Sequence, residues 1–359
     1  MRNRTIVAAA LGACALAFSA ASAMAQVQTD PVPAAPDARP VRVDAIKVHA
    51  PTVAGNLEGN PADRDVYVVL PPSYDSEPGR RYPVVYALHG YFIGAKQWMS
   101  EIQMPKTAEG AFARGVPEMI LVLPDSKTRH LGSLYASSIT VGDFESFISG
   151  DLIDYIDSHY RTIAKPESRG LVGHSMGGYG ASRIGIKHAD RYGALYVMSP
   201  GGLLPGGFGG APDADTMALL ESIRTLEDYE KLEGIQRGQF AVAAAYSPNP
   251  DKPPFYLDLP YMNGRIRPEI MAKWNANAPL AFLDQYVSKV RGYRAIAIEI
   301  GDRDGPGSDP RALHEALNAW GIESSFTLYE GDHTNRLGFR MQDHVLPFFG
   351  ENLAFEEGD

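Results

Sequence analysis

Residues 171–178 read Leu-Val-Gly-His-Ser-Met-Gly-Gly, and no other stretch limits the fold so sharply. Leu171 and Val172 close an apolar run, and helix-compatible residues follow from Tyr179 to His188. Between them Gly173, Ser175 and Gly177 form G-x-S-x-G. The pattern describes a strand that turns straight into a helix. Its glycines stand where backbone and neighbouring elements come too close for a Cβ, and the turn thrusts the Ser175 Oγ into the open.

The rest of the chain repeats this strand-then-helix rhythm. Residues 41–47 alternate weakly, and Asp65–Leu70 is a better strand ended by Pro71-Pro72. Tyr82–Leu88, Glu118–Leu123, Gly193–Met198 and Tyr293–Ile300 are short apolar runs, as expected of strands buried on both faces. Helical patterns lie at 98–114, 144–159, 179–188, 310–320 and 339–349. The fourth has a full set of boundary signals: Asp309 as N-cap, Pro310 at the first position and Gly321 past the end. Such alternation predicts an α/β fold, a mostly parallel central sheet with helices on both faces, in a single domain over 41–355. Residues 201–279 break the rhythm with a Gly-rich opening and a Pro-rich middle. They are expected to form an insertion before the penultimate strand that covers one side of the sheet; a surface excursion is the alternative.

The amino terminus reads as a targeting segment. Arg2 and Arg4 precede an apolar run from Ile6 to Phe18, and Ala23-Met24-Ala25 is a small-residue cleavage signal. Residues 1–25 are therefore expected to be a signal peptide, placing the mature chain in the periplasm or outside the cell. Cys14 suggests a lipoprotein signal instead, but the apolar run continues past it. Pro- and Ala-rich residues 26–40 are expected to be a disordered leader. Cys14 is the only cysteine, so cleavage after Ala25 would leave an exported chain without disulfides, dependent on its core. The net charge is −10, or −12 without Arg2 and Arg4, and basic clusters are missing, which argues against a nucleic-acid partner. No later stretch approaches the roughly 20 apolar residues of a transmembrane span. Oligomeric state is not legible.

The turn at Ser175 resembles the nucleophile elbow of the α/β-hydrolase fold, and the chemistry of a serine nucleophile sets what to look for next. A hydroxyl needs a base to take its proton, and the base needs an acid to fix its tautomer, in the chain order Ser, acid, His. Only His188, His314, His333 and His344 follow Ser175. His188 precedes any strand that could hold the acid, and His314 and His344 sit in helical patterns. His333 follows an apolar alternation and a Glu-Gly-Asp turn, at the carboxyl end of the last strand, where such sheets bind ligands. Asp302 and Asp304 both qualify as the acid by position, in the loop Gly301-Asp302-Arg303-Asp304-Gly305. Asp304 is preferred because G-x-x-D is the usual spacing in this fold. Asp332 reads as turn chemistry. The oxyanion donors are expected to be the backbone N–H groups of Met176 and of Tyr91, after His89-Gly90, with His89 organising the loop. Phe92, Trp98 and Tyr135 are weaker candidates for a substrate pocket, with core packing favoured for Trp98. No H-E-x-x-H, cysteine pair or Walker-type loop occurs, so neither metal nor nucleotide cofactor is expected.

From about Asp65 to Phe349 the chain resembles the esterase D-like esterase family, which includes S-formylglutathione hydrolases, feruloyl and acetyl-xylan esterases, siderophore esterases and antigen 85-type mycolyltransferases. The resemblance rests on Val-Leu-Pro-Pro-Ser-Tyr-Asp (69–75), Arg-Tyr-Pro-Val-Val-Tyr-Ala-Leu-His-Gly (81–90), the segment 151–162, Gly-His-Ser-Met-Gly-Gly-Tyr-Gly-Ala (173–181), Gly301-x-x-Asp304 and Gly331-Asp332-His333. His174 departs from the feruloyl-esterase-like members, which usually carry Leu. The resemblance implies the same triad of Ser175, Asp304 and His333. It implies a serine carboxylesterase acting on a small-molecule or polysaccharide-linked ester. An acyltransferase using the same triad, or a non-catalytic binding protein on this fold, are the alternatives.

Overall fold

The computed structural model describes residues 29–208, 212–304 and 310–356. The expected signal peptide at 1–25 with Cys14, the start of the leader at 26–28, and Asp309 as a helix cap lie outside the described residues.

Apolar runs become the strands of one eight-stranded sheet: β1 (Arg42–His49), β2 (Asp63–Leu70), β3 (Val84–Leu88), β4 (Ile120–Pro124), β5 (Arg169–His174), β6 (Ala194–Met198), β7 (Ala295–Gly301) and β8 (Ser325–Tyr329). The order is β1-β2-β4-β3-β5-β6-β7-β8. The pairs involving β2 are antiparallel and all others are parallel. The α/β-hydrolase fold expected from the sequence is the fold observed. In β3 every residue is buried, and the period of two divides them between faces. Val84, Tyr86 and Leu88 join one core, with Phe144, Ile148 and Ile184; Val85 and Ala87 join the other, with Trp98, Met104 and Phe349.

The helical patterns hold, with breaks that the periodicity does not carry. Residues 98–114, expected as one helix, are two: α1 (Ala95–Glu101) and α2 (Met104–Ala113). Gln103 adopts φ +49° between them, and Pro105 lies in the first turn of α2, where its missing N–H costs nothing. The helix after the elbow, α3, spans Met176–Lys187. Residues 29–40, expected as a disordered leader, carry no strand or helix but touch the body of the fold. Val32 is fully buried beside Gly338, and the Asp30 amide donates to the Asn335 carbonyl at 2.7 Å. An apolar anchor, backbone bonds and the Arg39–Glu118 ion pair at 2.7 Å hold a segment whose composition suggests no such ties.

From Ser199 to Arg294 the chain leaves the main sheet. This stretch includes the expected insertion and carries helices Ala214–Ser222, Leu226–Glu230, Gly234–Tyr246 and Pro268–Ala276. It lands on α3, where the Tyr179 hydroxyl donates to the Asn277 carbonyl at 2.8 Å.

Strand order reverses about β3, which lies between β4 and β5, so a crevice opens at the carboxyl ends of β3 and β5. Register aligns those ends: Leu88 faces Gly173, Gly173 faces Val197, and Gly301 faces Tyr329. Loops leaving five strands therefore meet on one edge.

Beneath them lies a buried ion pair. Arg340 donates through Nε to Glu299 of β7 at 3.1 Å, the Tyr196 hydroxyl of β6 donates to the same carboxylate, and the Arg340 guanidinium lies over Tyr329 of β8. It fastens the helical segment after β8 to three strands. Removing one partner would strand the other's charge in the core. Arg340→Met is expected to cost about 3–5 kcal/mol in urea unfolding, and adding Glu299→Gln should recover most of that. Equal stability of Arg340→Met and wild type would show that the pair anchors nothing.

Candidate active site

Ser175 sits between β5 and α3 with φ +59° and ψ −119°, a conformation that L residues rarely adopt. Close backbone approach enforces it. A Cβ on Gly173 would lie 2.0 Å from the Gly177 carbonyl oxygen, and one on Gly177 would lie 2.0 Å from that of Leu88. The Ser175 amide donates to the Met198 carbonyl at 3.0 Å, which ties the turn to β6.

His333, after β8, reaches back over this turn. Its Nε2 lies 2.9 Å from Ser175 Oγ, and its Nδ1 lies 2.8 Å from Asp304 Oδ1 and 3.1 Å from Oδ2. A carboxylate can only accept, so the ring proton sits on Nδ1 and Nε2 offers its lone pair to the hydroxyl. The Asp304 side chain is 4% exposed and that of His333 41%, so the carboxylate is shielded while the imidazole meets solvent. Asp302, the alternative acid, instead accepts the Gly331 amide at 2.9 Å. Asp332 accepts the amides of Thr334 and Asn335, each at 2.8 Å, which is turn chemistry. An imidazole held between a buried carboxylate and a half-buried serine hydroxyl can take up the hydroxyl proton.

The Met176 amide opens α3, and the Tyr91 amide follows Gly90, whose own Cβ position would be 3.4 Å from Ser175 Cβ. Among the described residues neither N–H has a hydrogen-bond acceptor. The side chains of Met176 and Tyr91 close on Gly132, where a Cβ would meet both within 2.6 Å. His89 is fully buried and organises this loop: its Nδ1–H donates to the Gly90 carbonyl at 2.8 Å, and its Nε2 accepts the Ser126 amide at 2.9 Å. Burial lowers its pKa.

The three pocket candidates separate. Phe92 is partly exposed, its ring against Gly234 of the insertion. Trp98 and Tyr135 are buried: Trp98 packs in the core, as favoured for it from the sequence, and Tyr135 does the same. Tyr135 donates its hydroxyl to the His89 carbonyl at 2.9 Å, and Trp98 stacks on His174, centroids 5.6 Å apart. Both aromatics serve the loops from below.

Position 174, in the sequence only a departure from relatives, gains a partner in the structure. Its Nε2 lies 2.7 Å from the His333 main-chain oxygen, an acceptor, so that nitrogen carries the proton. Burial foremost, then the nearby His333 ring, hold its pKa down at about 3. The only signal available in the sequence is a polar residue where the turn lies against the core.

Against this geometry, the family model described as "Putative esterase" matches residues 60–342. The chain belongs to the Esterase family. An esterase of Mycobacterium tuberculosis is 32% identical over 130 residues, 35% of this chain and 26% of that protein. An endo-1,4-beta-xylanase/feruloyl esterase of Xylanibacter ruminicola is 26% identical over 166 residues, 46% of this chain and 22% of that protein. The matches thus span about a quarter of these relatives' length. Among solved structures, a ferulic acid esterase superposes with a TM-score of 0.63 at 20% identity, covering 88% of this chain and 100% of that one. It shares the fold. Among the described residues of this Esterase family member, no His, Cys, Asp or Glu cluster suits a metal ion. Nor is any described helix long and apolar enough to cross a membrane.

The His174 shift makes a stability prediction for this Esterase family member. An unfolded chain protonates the ring near the ordinary histidine pKa of about 6.5, and the folded chain only near 3. As pH falls the unfolded state binds the proton first. The contribution is therefore intact above about pH 6.5 and erodes below it by about 1.4 kcal/mol per pH unit. Urea melts at about pH 6 and about pH 4 should show a steeper loss for wild type than for His174→Gln, by one proton's slope. Parallel slopes would mean that His174 protonates freely in the fold.

Proposed function

We propose that the protein is an exported serine carboxylesterase working through an acyl-enzyme on Ser175. The observation that carries this reading is the unbroken chain from Ser175 Oγ to His333 at 2.9 Å and on to Asp304 at 2.8 Å, in a chain of the Esterase family. Ser175 Oγ bonds to the ester carbonyl carbon as its proton passes to His333 Nε2, and the carbonyl electrons move onto oxygen. The Tyr91 and Met176 amides hold that oxyanion, each contributing about 10²–10³ in rate. Asp304 keeps the His333 proton on Nδ1 beforehand and stabilises the imidazolium afterwards. Collapse reforms the carbonyl and breaks the bond to the alkoxy group, which leaves as the alcohol with the Nε2 proton. Water then repeats the sequence on the acyl-enzyme and frees Ser175.

The solvent-exposed His333 ring leaves water a path to the acyl-enzyme, which favours hydrolysis over transfer. The feruloyl esterase among the relatives makes a hydroxycinnamoyl ester the substrate class of choice, with an acetyl ester, which the family resemblance adds, as the other. The basic, apolar and small-residue order of residues 1–25 supports export.

Ser175→Ala should lower p-nitrophenyl acetate hydrolysis by about 10⁴-fold or more, with the fold intact by circular dichroism. Asp304→Asn should lower kcat by about 10⁴. Undiminished turnover by Ser175→Ala would end the assignment.

A further inference from the structure

The proposed base is gripped at two points, and only one belongs to the triad. Its imidazole is held by Asp304. Its main-chain oxygen is held at 2.7 Å by Nε2 of His174, the residue immediately before Ser175. The surrounding loop is tied elsewhere: Gly331 to Asp302, and Asp332, Thr334 and Asn335 to one another. At residue 333 itself, the backbone is anchored to the turn that carries the serine.

We infer that His174 is a positioning residue, which sets the separation of Ser175 Oγ and His333 Nε2 by locking the main chain of one to that of the other. The inference rests on the serine-triad reading above.

The environment suits a permanent neutral donor. His174 is 4% exposed, and its ring lies nearly parallel to that of Trp98, at 8°. That stacking fixes the plane in which Nε2 points. On the other side the His333 ring is 4.6 Å away, tilted by 46°. A second imidazole so near the base could compete for the serine proton. This one does not, because its Nε2 already donates and its low pKa keeps it neutral when His333 becomes cationic. A leucine side chain could fill the volume without offering a donor, and would leave the His333 carbonyl to find another. A glutamine places an N–H at nearly the reach of Nε2.

The test compares wild type, His174→Leu and His174→Gln on p-nitrophenyl acetate, alongside the rate at which a fluorophosphonate labels Ser175. A misplacement of about 1 Å can cost 10²-fold. His174→Leu is therefore expected to lower kcat and the labelling rate by about 10–100-fold, with KM within about threefold. His174→Gln should restore both to within about fivefold of wild type. Loss of packing alone would not be repaired by an amide, so rescue separates positioning from bulk. If His174→Leu does not fold, His174→Asn, whose amide is too short to reach, takes its place. The inference is overturned if the donor-less variant keeps kcat within about twofold of wild type, or if His174→Gln falls as far as His174→Leu. Activity of Ser175→Ala tells the two readings apart: if it persists, the triad reading has failed; if it is lost while His174→Leu is unimpaired, only the role of His174 has.

Discussion

The contact on which the site depends is backbone against backbone, where Gly177 passes the Leu88 carbonyl and Gly173 passes Gly177. No side chain fits there, since a Cβ at either glycine would sit 2.0 Å from a carbonyl oxygen. That closeness holds Ser175 at φ +59°, a conformation costing on the order of 1–3 kcal/mol. The sheet meets that cost. β3 and β5 are buried along their whole length and paired in parallel up to Leu88 and Gly173, so the turn has no room to relax.

Once the turn is fixed, its neighbours are fixed by polar atoms that apolar packing could not orient. Asp125, after β4, accepts the Ala95 amide at 3.0 Å and the Arg64 guanidinium at 2.7 Å, so the loop before α1 is tied to β2. His89 joins its own loop to Ser126. Asp302 holds the Gly331 amide, so the loops carrying Asp304 and His333 move together. Each bond contributes only about 1 kcal/mol, yet an unmade one would leave a buried group unsatisfied. The edge is therefore a set of mutually dependent loops on a rigid sheet.

This division explains which parts of the fold and site can be read from sequence. Strands buried on both faces announce themselves as apolar runs, and the elbow announces itself by glycines, so β3 to β7 and Ser175 are legible. His333 follows because strand ends dictate loop positions, whereas position alone leaves Asp302 beside Asp304 and only the G-x-x-D spacing prefers the latter. The break between α1 and α2 is hidden, since a single left-handed Gln103 leaves the apolar spacing intact. The anchoring of residues 29–40 rests on one buried valine and on ion pairs to partners distant in the chain. Trp98 and Tyr135 are aromatic and stand in the right loops, but whether a ring faces a pocket or the layer beneath depends on tertiary packing. His174 needs a partner 159 residues away to acquire meaning.

The helix that leaves Ser175 also seats the 199–294 segment. Tyr179 and Arg183 follow Ser175 at intervals of four, so they share one face of α3. Tyr179 bonds the Asn277 carbonyl, and Arg183 reaches the Asn277 side chain at 3.0 Å while Glu145 holds its Nε at 2.7 Å. The Glu145 carboxyl is held down at about 2; burial opposes ionisation, but His188, Arg183 and Lys187 outweigh it. Oriented polar contacts thus fix where the segment sits relative to the elbow. Its outer face is not so constrained: Ile235 is 74% exposed, one residue from where Phe92 packs on Gly234. The same Phe92 ring lies 4.4 Å, centroid to centroid, from that of Tyr91, so the loop after β3 and the segment seated on α3 are in contact.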